Sequence, residues 1–310
     1  MNIGMLAGSQ SLANTHTRIW HDASIPEICV APSGKANPTA LPIAVVMILL
    51  NAKGYVIYCK NEEYNLCSSR QGLGTQADGG FAEYVINHEA RIHKLPEKVS
   101  LLQASLTEPL ACCVHGAMET SQVKPGETVL IFGPGAMGLL TGMVCKSQGA
   151  KVVIAGLTKD EKRFEVARTL GFDRIVDQMK EDLGTVMNEM TDGIGPDKIY
   201  ECSGAIPALN RSFELIRKKG EVVQIGVFAK DINEVNVGIF FPKEIHYMGT
   251  RTQKPSAWRT SLQLMEEGLV HPEKVVTMIT DLDNWEEGFT KSKNAEEVKV
   301  VIQVADTDEK

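Results

Sequence analysis

Between Lys124 and Val227 the chain alternates short apolar runs with segments whose apolar residues return every three or four positions. The runs at 128–132, 151–155, 174–176, 198–201 and 221–225 predict strands. The periodic stretches at 136–147, about 160–170, around Leu183, Val186, Met187 and Met190, and near 206–216 predict helices. Phe164, Val166, Ala167 and Leu170 form the apolar stripe of the second of these, and Gly171 stands where a C-terminal cap belongs. Strand, helix and strand in this rhythm give the crossover length that parallel neighbours require, so the expected fold is α/β with a doubly wound parallel sheet. The segment up to about Leu110 is β-like and loop-like, and from Lys243 onward the pattern is helical, then stranded at 298–304. The longest apolar stretch, 41–50, is too short for a bilayer, which takes about twenty residues, and is read as a buried strand or as foreign sequence.

The first strand runs directly into Gly133-Pro134-Gly135-Ala136-Met137-Gly138, and a helix follows. That context points to a dinucleotide: Gly133 permits the tight turn, Gly135 lets backbone approach a pyrophosphate, and Gly138 lets helix and strand pack closely. The helix start, with Ala136 and Met137, offers unpaired N–H groups and a positive dipole end. Small residues recur at later strand ends, in Cys202-Ser203-Gly204 and Gly226, where the carboxyl edge of such a sheet faces its ligand. At the end of the second strand, where an acidic residue would bind the ribose of NAD, the chain carries Gly156. Thr158, Lys159 and Arg163 follow, a hydroxyl and two positive charges that lean the expectation from NAD toward NADP.

Composition narrows the class. A chain of 310 residues builds its core without disulfides or metals, and a formal charge of −7 with no basic block argues against nucleic acid. The seven cysteines form no disulfide framework and no secretory signal is read, so reduced thiols in a cytoplasmic protein are expected. A small-molecule substrate, with neither membrane nor nucleic acid as partner, is the remaining expectation.

From Cys59 onward, about four fifths of the chain, the sequence resembles the zinc-containing medium-chain dehydrogenases, in the branch of sorbitol, threonine and related polyol dehydrogenases. The resemblance rests on Asp78-Gly79-Gly80-Phe81-Ala82-Glu83-Tyr84-Val85, Glu108-Pro109-Leu110-Ala111-Cys112-Cys113-Val114-His115, the glycine motif and Glu201-Cys202-Ser203-Gly204. Lys243-Glu244, Gly249 and Lys299-Val300-Val301 match the closing segment. It implies a Rossmann domain at 111–246, a GroES-like, mainly β catalytic domain at 1–110 with an aberrant N-terminal part, and a return segment at 247–310. It further implies hydride transfer between a secondary alcohol and NAD(P), zinc, and a homo-oligomer, dimer or tetramer.

The first part departs from that family. Ala13, Asn14, Thr15 and His16 stand where Cys-Gly-Thr-Asp would precede Ile19-Trp20-His21-Asp22, and no Gly-His-Glu follows. Of the four cysteines of the structural-zinc lobe, Cys59 and Cys67 keep their spacing, while Lys53 and Val56 occupy the earlier places. Glu108 is the metal-shell residue that survives by position, and His115, seven residues on, falls on a similar helix face. Glu108 and His115 are thus the catalytic candidates, and Glu108, Cys59 and Cys67 the metal candidates, with His16, His21 and Cys29 as improvised ligands. A shifted reading frame, a truncated ancestral gene and true divergence each account for the bounded mismatch. The alternatives to an alcohol dehydrogenase are a non-catalytic dinucleotide-binding remnant and a zinc-independent enone or quinone reductase.

Overall fold

The computed structural model describes residues 27–30, 45–47, 50–51, 57–74, 76–82, 85–88 and 91–304. His16, His21, Lys53 and Val56 lie outside them, and Cys29 is described by its backbone alone. Six short strands open the described chain: β1 (Glu27–Val30), β2 (Val45–Met47), β3 (Leu50–Asn51), β4 (Gln71–Gly72), β5 (Val85–His88) and β6 (Ile92–Lys94). They pair antiparallel as β1 with β5, β2 with β6 and β3 with β4. Two of them, β2 and the start of β3, fall in the apolar 41–50 stretch. A short helix, α1 (Ile57–Lys60), buries Cys59.

Ser100 opens α2 (Leu101–Ala104), its hydroxyl accepting from the Gln103 N–H while the Gln103 side chain accepts from the Ser100 N–H. Next comes α3 (Thr107–Val114), which continues as a π-helical turn over His115–Thr120. The central sheet follows. Its strands are β7 (Thr128–Phe132), β8 (Lys151–Gly156), β9 (Arg174–Asp177), β10 (Lys198–Glu201), β11 (Glu221–Gln224) and β12 (His246–Gly249), all parallel, in the order β12-β11-β10-β7-β8-β9. Chain order reverses between β7 and β10, which places a topological switch point at the carboxyl end of β7.

Helices cover both faces, and this is why the strands read as continuous apolar runs rather than alternating ones. One face packs α4 (Ala136–Ser147) and α3 in a core that includes Leu110, Val129, Ile131, Leu139 and Trp258. α5 (Glu161–Thr169) adds Ala167 to that core and ends on Gly171 at φ +66°. The other face packs α6 (Leu183–Met190) and α7 (Ile206–Leu215) around Leu130, Val153, Met187, Leu209 and Phe213. The chain then passes α8 (Phe240–Lys243), α9 (Pro255–Glu266), β13 (Met278–Asp281), α10 (Trp285–Lys293) and β14 (Val300–Gln303), with β13 and β14 paired in parallel.

The expectation of a helical stretch from Lys243 onward is corrected by β12 and β13. β12 also carries the sheet through the boundary expected after residue 246, as far as Gly249. The first and last thirds dock on each other: Phe81 packs on Phe289 at 5.7 Å between centroids, Lys254 pairs with Glu63 at 3.6 Å, and Asn65 donates to the Arg251 carbonyl at 2.9 Å. Among the described residues no helix is long and apolar enough to cross a membrane.

Candidate functional site

Three turns meet at the switch point. Gly133 has φ +92°, and a β-carbon on it would lie 2.9 Å from Cβ of Ser203. On Gly226, a β-carbon would come within 2.4 Å of the Gly204 nitrogen. The turns after β7, β10 and β11 therefore touch through main chain, which only glycine permits. Gly138 does what the motif predicts: a β-carbon there would lie 2.0 Å from the Gly133 carbonyl oxygen, so helix α4 is seated directly on the turn. The N–H groups of Ala136, Met137 and Gly138 begin that helix, in the first turn that an α-helix leaves without carbonyl partners. The carboxylate of Glu201, fully buried at the end of β10, accepts from the N–H and hydroxyl of Ser203, from the Gly204 N–H and from Gln224 Nε2.

At the end of β8 the geometry gives Gly156 a different reason to be there. A β-carbon at Gly156 would lie 2.7 Å from Pro134 and 3.0 Å from the Phe164 ring, so the glycine makes room for the fingerprint turn itself. Arg163 donates to Asp160 at 2.7 Å and Thr158 donates to Asp177 at 2.7 Å, while Lys159 is exposed. Two of the three groups expected at a 2′-phosphate are thus engaged with carboxylates.

Glu108 projects from the first turn of α3, a helix tied to the fingerprint by a 3.4 Å contact from Cys113 Sγ to the Met137 carbonyl. Cys112 Sγ lies 3.6 Å from the Glu108 carboxylate and 3.2 Å from Gln253 Oε1. Burial pushes the Glu108 carboxyl up, against the opposing charge of Lys299 and the hydrogen bond from Cys112. Burial likewise pushes Lys299 down, against Glu108 and Cys112. His115 is not part of this group. Its Nδ1 meets Glu119 Oε2 at 2.7 Å, and Glu119 also accepts from Ser256. Those two residues line a cavity of about 500 Å³ with Glu63, Asn65, Arg251 and Lys254. The structure thus brings Glu108 together with Cys112, Gln253 and Lys299, and sets His115 apart with Glu119.

Cys59 and Cys67 are both buried, and Cys59, Cys112, Cys113, Cys145 and Cys202 are free thiols. Among the described residues no three of His, Cys, Asp and Glu converge on a point that would hold a metal ion. Catalytic zinc takes three protein ligands and keeps one position open. Glu108 and Cys112 offer one carboxylate and one thiol beside Lys299, short of the three donors that demand sets. The described residues at Glu108 and at Cys59 and Cys67 therefore do not make a zinc cage.

Sequence reasoning missed Glu201, Gln224, Gln253 and Lys299 as site residues. Lys299 left one local signal, a charge placed between Val298 and the apolar pair Val300-Val301.

Comparison with known proteins agrees with this geometry. The profile of the family described as Zinc-binding dehydrogenase matches residues 136–267. A D-arabitol-phosphate dehydrogenase of Enterococcus avium is 43% identical over 246 residues, 79% of this chain and 70% of that protein. A sorbitol dehydrogenase of Halalkalibacterium halodurans is 40% identical over 253 residues, 82% of this chain and 74% of its own length. The crystal structure of 2R,3R-butanediol dehydrogenase from Bacillus subtilis superposes with a TM-score of 0.77 at 29% identity, covering 87% of this chain and 76% of that one. The open doubly wound sheet, its three-turn carboxyl edge and these likenesses converge: the chain belongs to the zinc-binding dehydrogenase family, among the medium-chain, alcohol and polyol dehydrogenase-like oxidoreductases that work with a nicotinamide dinucleotide.

Proposed function

We propose that this chain binds NAD(P) across the carboxyl ends of β7, β10 and β11 and exchanges hydride with a secondary alcohol brought to the nicotinamide end, beside Glu108. The observation that carries the reading is the main-chain contact of three turns around Gly133, Gly204 and Gly226, with the start of α4 beside them capped by no side chain. When bound, the nicotinamide supplies the hydride donor or acceptor. The protein's part is to hold the pyrophosphate on the helix N–H groups, to give the cofactor a floor without side chains, and to present the half-buried carboxyl of Glu108 at the nicotinamide end. The proposed substrates carry a hydroxyl next to the reacting one, a feature shared by the substrates that the names of the three relatives give: pentitol phosphates, hexitols and vicinal diols.

The division that goes with this reading is a catalytic unit at 1–110 and 247–310 around a dinucleotide unit at 111–246, working as a homo-oligomer in a reducing cytoplasm. Free thiols at Cys59, Cys112, Cys113, Cys145 and Cys202 support that compartment, and the edge strand β12, with Tyr247 39% exposed, supplies a surface for a second copy. Preference for NADP rests mainly on Lys159, since Arg163 and Thr158 are held by Asp160 and Asp177. Lys159→Ala is expected to weaken NADPH binding about threefold and leave NADH within error, as befits an exposed charge.

The deciding experiment is NADH and NADPH titration of purified protein by fluorescence, metal analysis of the same sample, and a rate screen over pentitols, pentitol phosphates, hexitols and butanediols. Cofactor binding with alcohol oxidation supports the proposal. A second reading, a dinucleotide-binding protein that does not oxidise alcohols, is favoured by the want of a third metal donor at Glu108 among the described residues. Cofactor binding without zinc and without turnover would establish it. Failure to bind either cofactor would overturn both.

A further inference from the structure

We infer that Glu201 is a positioning residue of the cofactor cleft: its buried carboxylate sets the two turns that carry the nicotinamide half of the dinucleotide. The inference rests on the dinucleotide reading and concerns a residue that touches no substrate atom. A doubly wound sheet binds a dinucleotide as two halves, with the adenosine ribose at the strand after the fingerprint helix, here β8. The other half falls to the strands across the switch point, β10 and β11, whose exit turns are 202–204 and 226–227.

Both turns are strung from Glu201. Oε1 accepts from the Ser203 N–H at 2.8 Å and from the Ser203 hydroxyl. Oε2 accepts from the Gly204 N–H at 2.9 Å and from Gln224 Nε2 at 2.6 Å. The Gln224 amide also donates to the Gly226 carbonyl at 2.7 Å, so one side chain relays the carboxylate to the second turn. Beyond it, the Tyr247 hydroxyl donates to Gln224 Oε1 at 3.2 Å. The Glu201 backbone joins in, its carbonyl accepting from the N–H groups of Ile225 and Gly226 at 2.9 and 2.8 Å.

Four donors converge on two oxygens in a fully buried position. An ionised carboxylate satisfies all four, because it is an acceptor at every lone pair. A glutamine does not: whichever way its amide is turned, its NH2 group faces a main-chain N–H, that of Ser203 or that of Gly204, which can only donate. The main-chain contacts of Gly133 with Ser203, and of Gly204 with the Val227 carbonyl, have no slack to absorb the displacement, since β-carbons there would already lie within 2.9 and 2.3 Å of their neighbours.

The test compares full-length wild type with Glu201→Gln, measuring Kd for NADH and for AMP, which occupies only the adenosine half. For Glu201→Gln, NADH is expected to bind about tenfold more weakly or worse, the scale for a buried charged acceptor lost, while AMP stays within twofold. A general loss of structure would weaken both probes alike, and that result overturns the inference. So does NADH binding within twofold of wild type. Should Glu201→Gln yield no folded protein, Gln224→Met decides, since it keeps the length of the side chain and removes the relay: NADH weakened about threefold with AMP unchanged upholds the role, and NADH unchanged overturns it. A wild type that binds neither NADH nor NADPH overturns the dinucleotide reading itself, an outcome distinct from a wild type that binds no better than its variant.

Discussion

The central sheet and the two-stranded sheets around it are built to different standards. Every residue of β7 and of β10 is buried, and β8 is buried from its second residue on, whereas β13 alternates half-buried with exposed positions and β14 ends exposed. The first group lies between two layers of helices, with one core drawn wholly from residues 130–245 and another shared with Leu95, Trp258, Leu262 and Val298 of the flanking segments; the second leans on α10 and a few ring contacts. The difference teaches that burial is concentrated in the six-stranded sheet, while the flanking segments join it through one shared core. The departure from the family pattern lies before Cys59, and every described residue of the two cores comes after it.

The sharpest way to break this comparison is to place matched truncations in the two regions. Phe213 is fully buried, with Phe240 and Tyr247 edge-on at 4.6 and 5.3 Å, so Phe213→Ala is expected to cost about 3–5 kcal/mol in urea unfolding. Ile279, 54% exposed on β13, should cost under about 0.5 kcal/mol as Ile279→Ala. Equal losses would overturn the contrast in burial. Next in size is Gly138→Ala, whose new methyl would sit against the Gly133 carbonyl. It is expected to cost about 1–3 kcal/mol and to weaken NADH at least tenfold, while Gly249→Ala, with nothing within 4 Å, leaves both unchanged.

The smallest effect is a pH dependence. Burial pushes the Glu119 carboxyl up, but hydrogen bonds from His115 and Ser256, with the charges of His115 and Lys254, outweigh it and hold the group below its ordinary 4.5. A depressed acid adds stability that is present above the unfolded value and disappears as pH falls through the folded one. Wild type should therefore exceed Glu119→Gln by roughly 0.5–1.5 kcal/mol near neutrality, the gap closing as pH drops below 4.5. A gap that persists in acid would assign it to packing.

Much of the middle of the chain was legible because burial on both faces writes itself as uninterrupted apolar runs, and the 128–132 strand and 136–147 helix are found with those bounds. β12 was not legible: His-Tyr-Met-Gly is an edge strand whose side chains are largely exposed, so no apolar run or alternation marks it. The glycine motif could be read because its parts are consecutive. Glu201 and Gln224 could not be paired from sequence, since they stand 23 residues apart and meet only because β10 and β11 run in register. Gly156 was read as room for a phosphate, and the room is taken by Pro134, a neighbour supplied by the adjoining strand's turn.

The floor formed by Gly133, Gly204 and Gly226 has a bearing on how this protein tolerates change. Because the surface is made of main chain, a deep mutational scan selected for cofactor retention should record it as a handful of positions intolerant of even one added carbon. The side chains that hold it, Glu201 and Gln224, would tolerate polar shape mimics no better than gross losses. The cleft would then be inherited as a pattern of missing atoms, free to pass between chains whose reactive groups have been replaced.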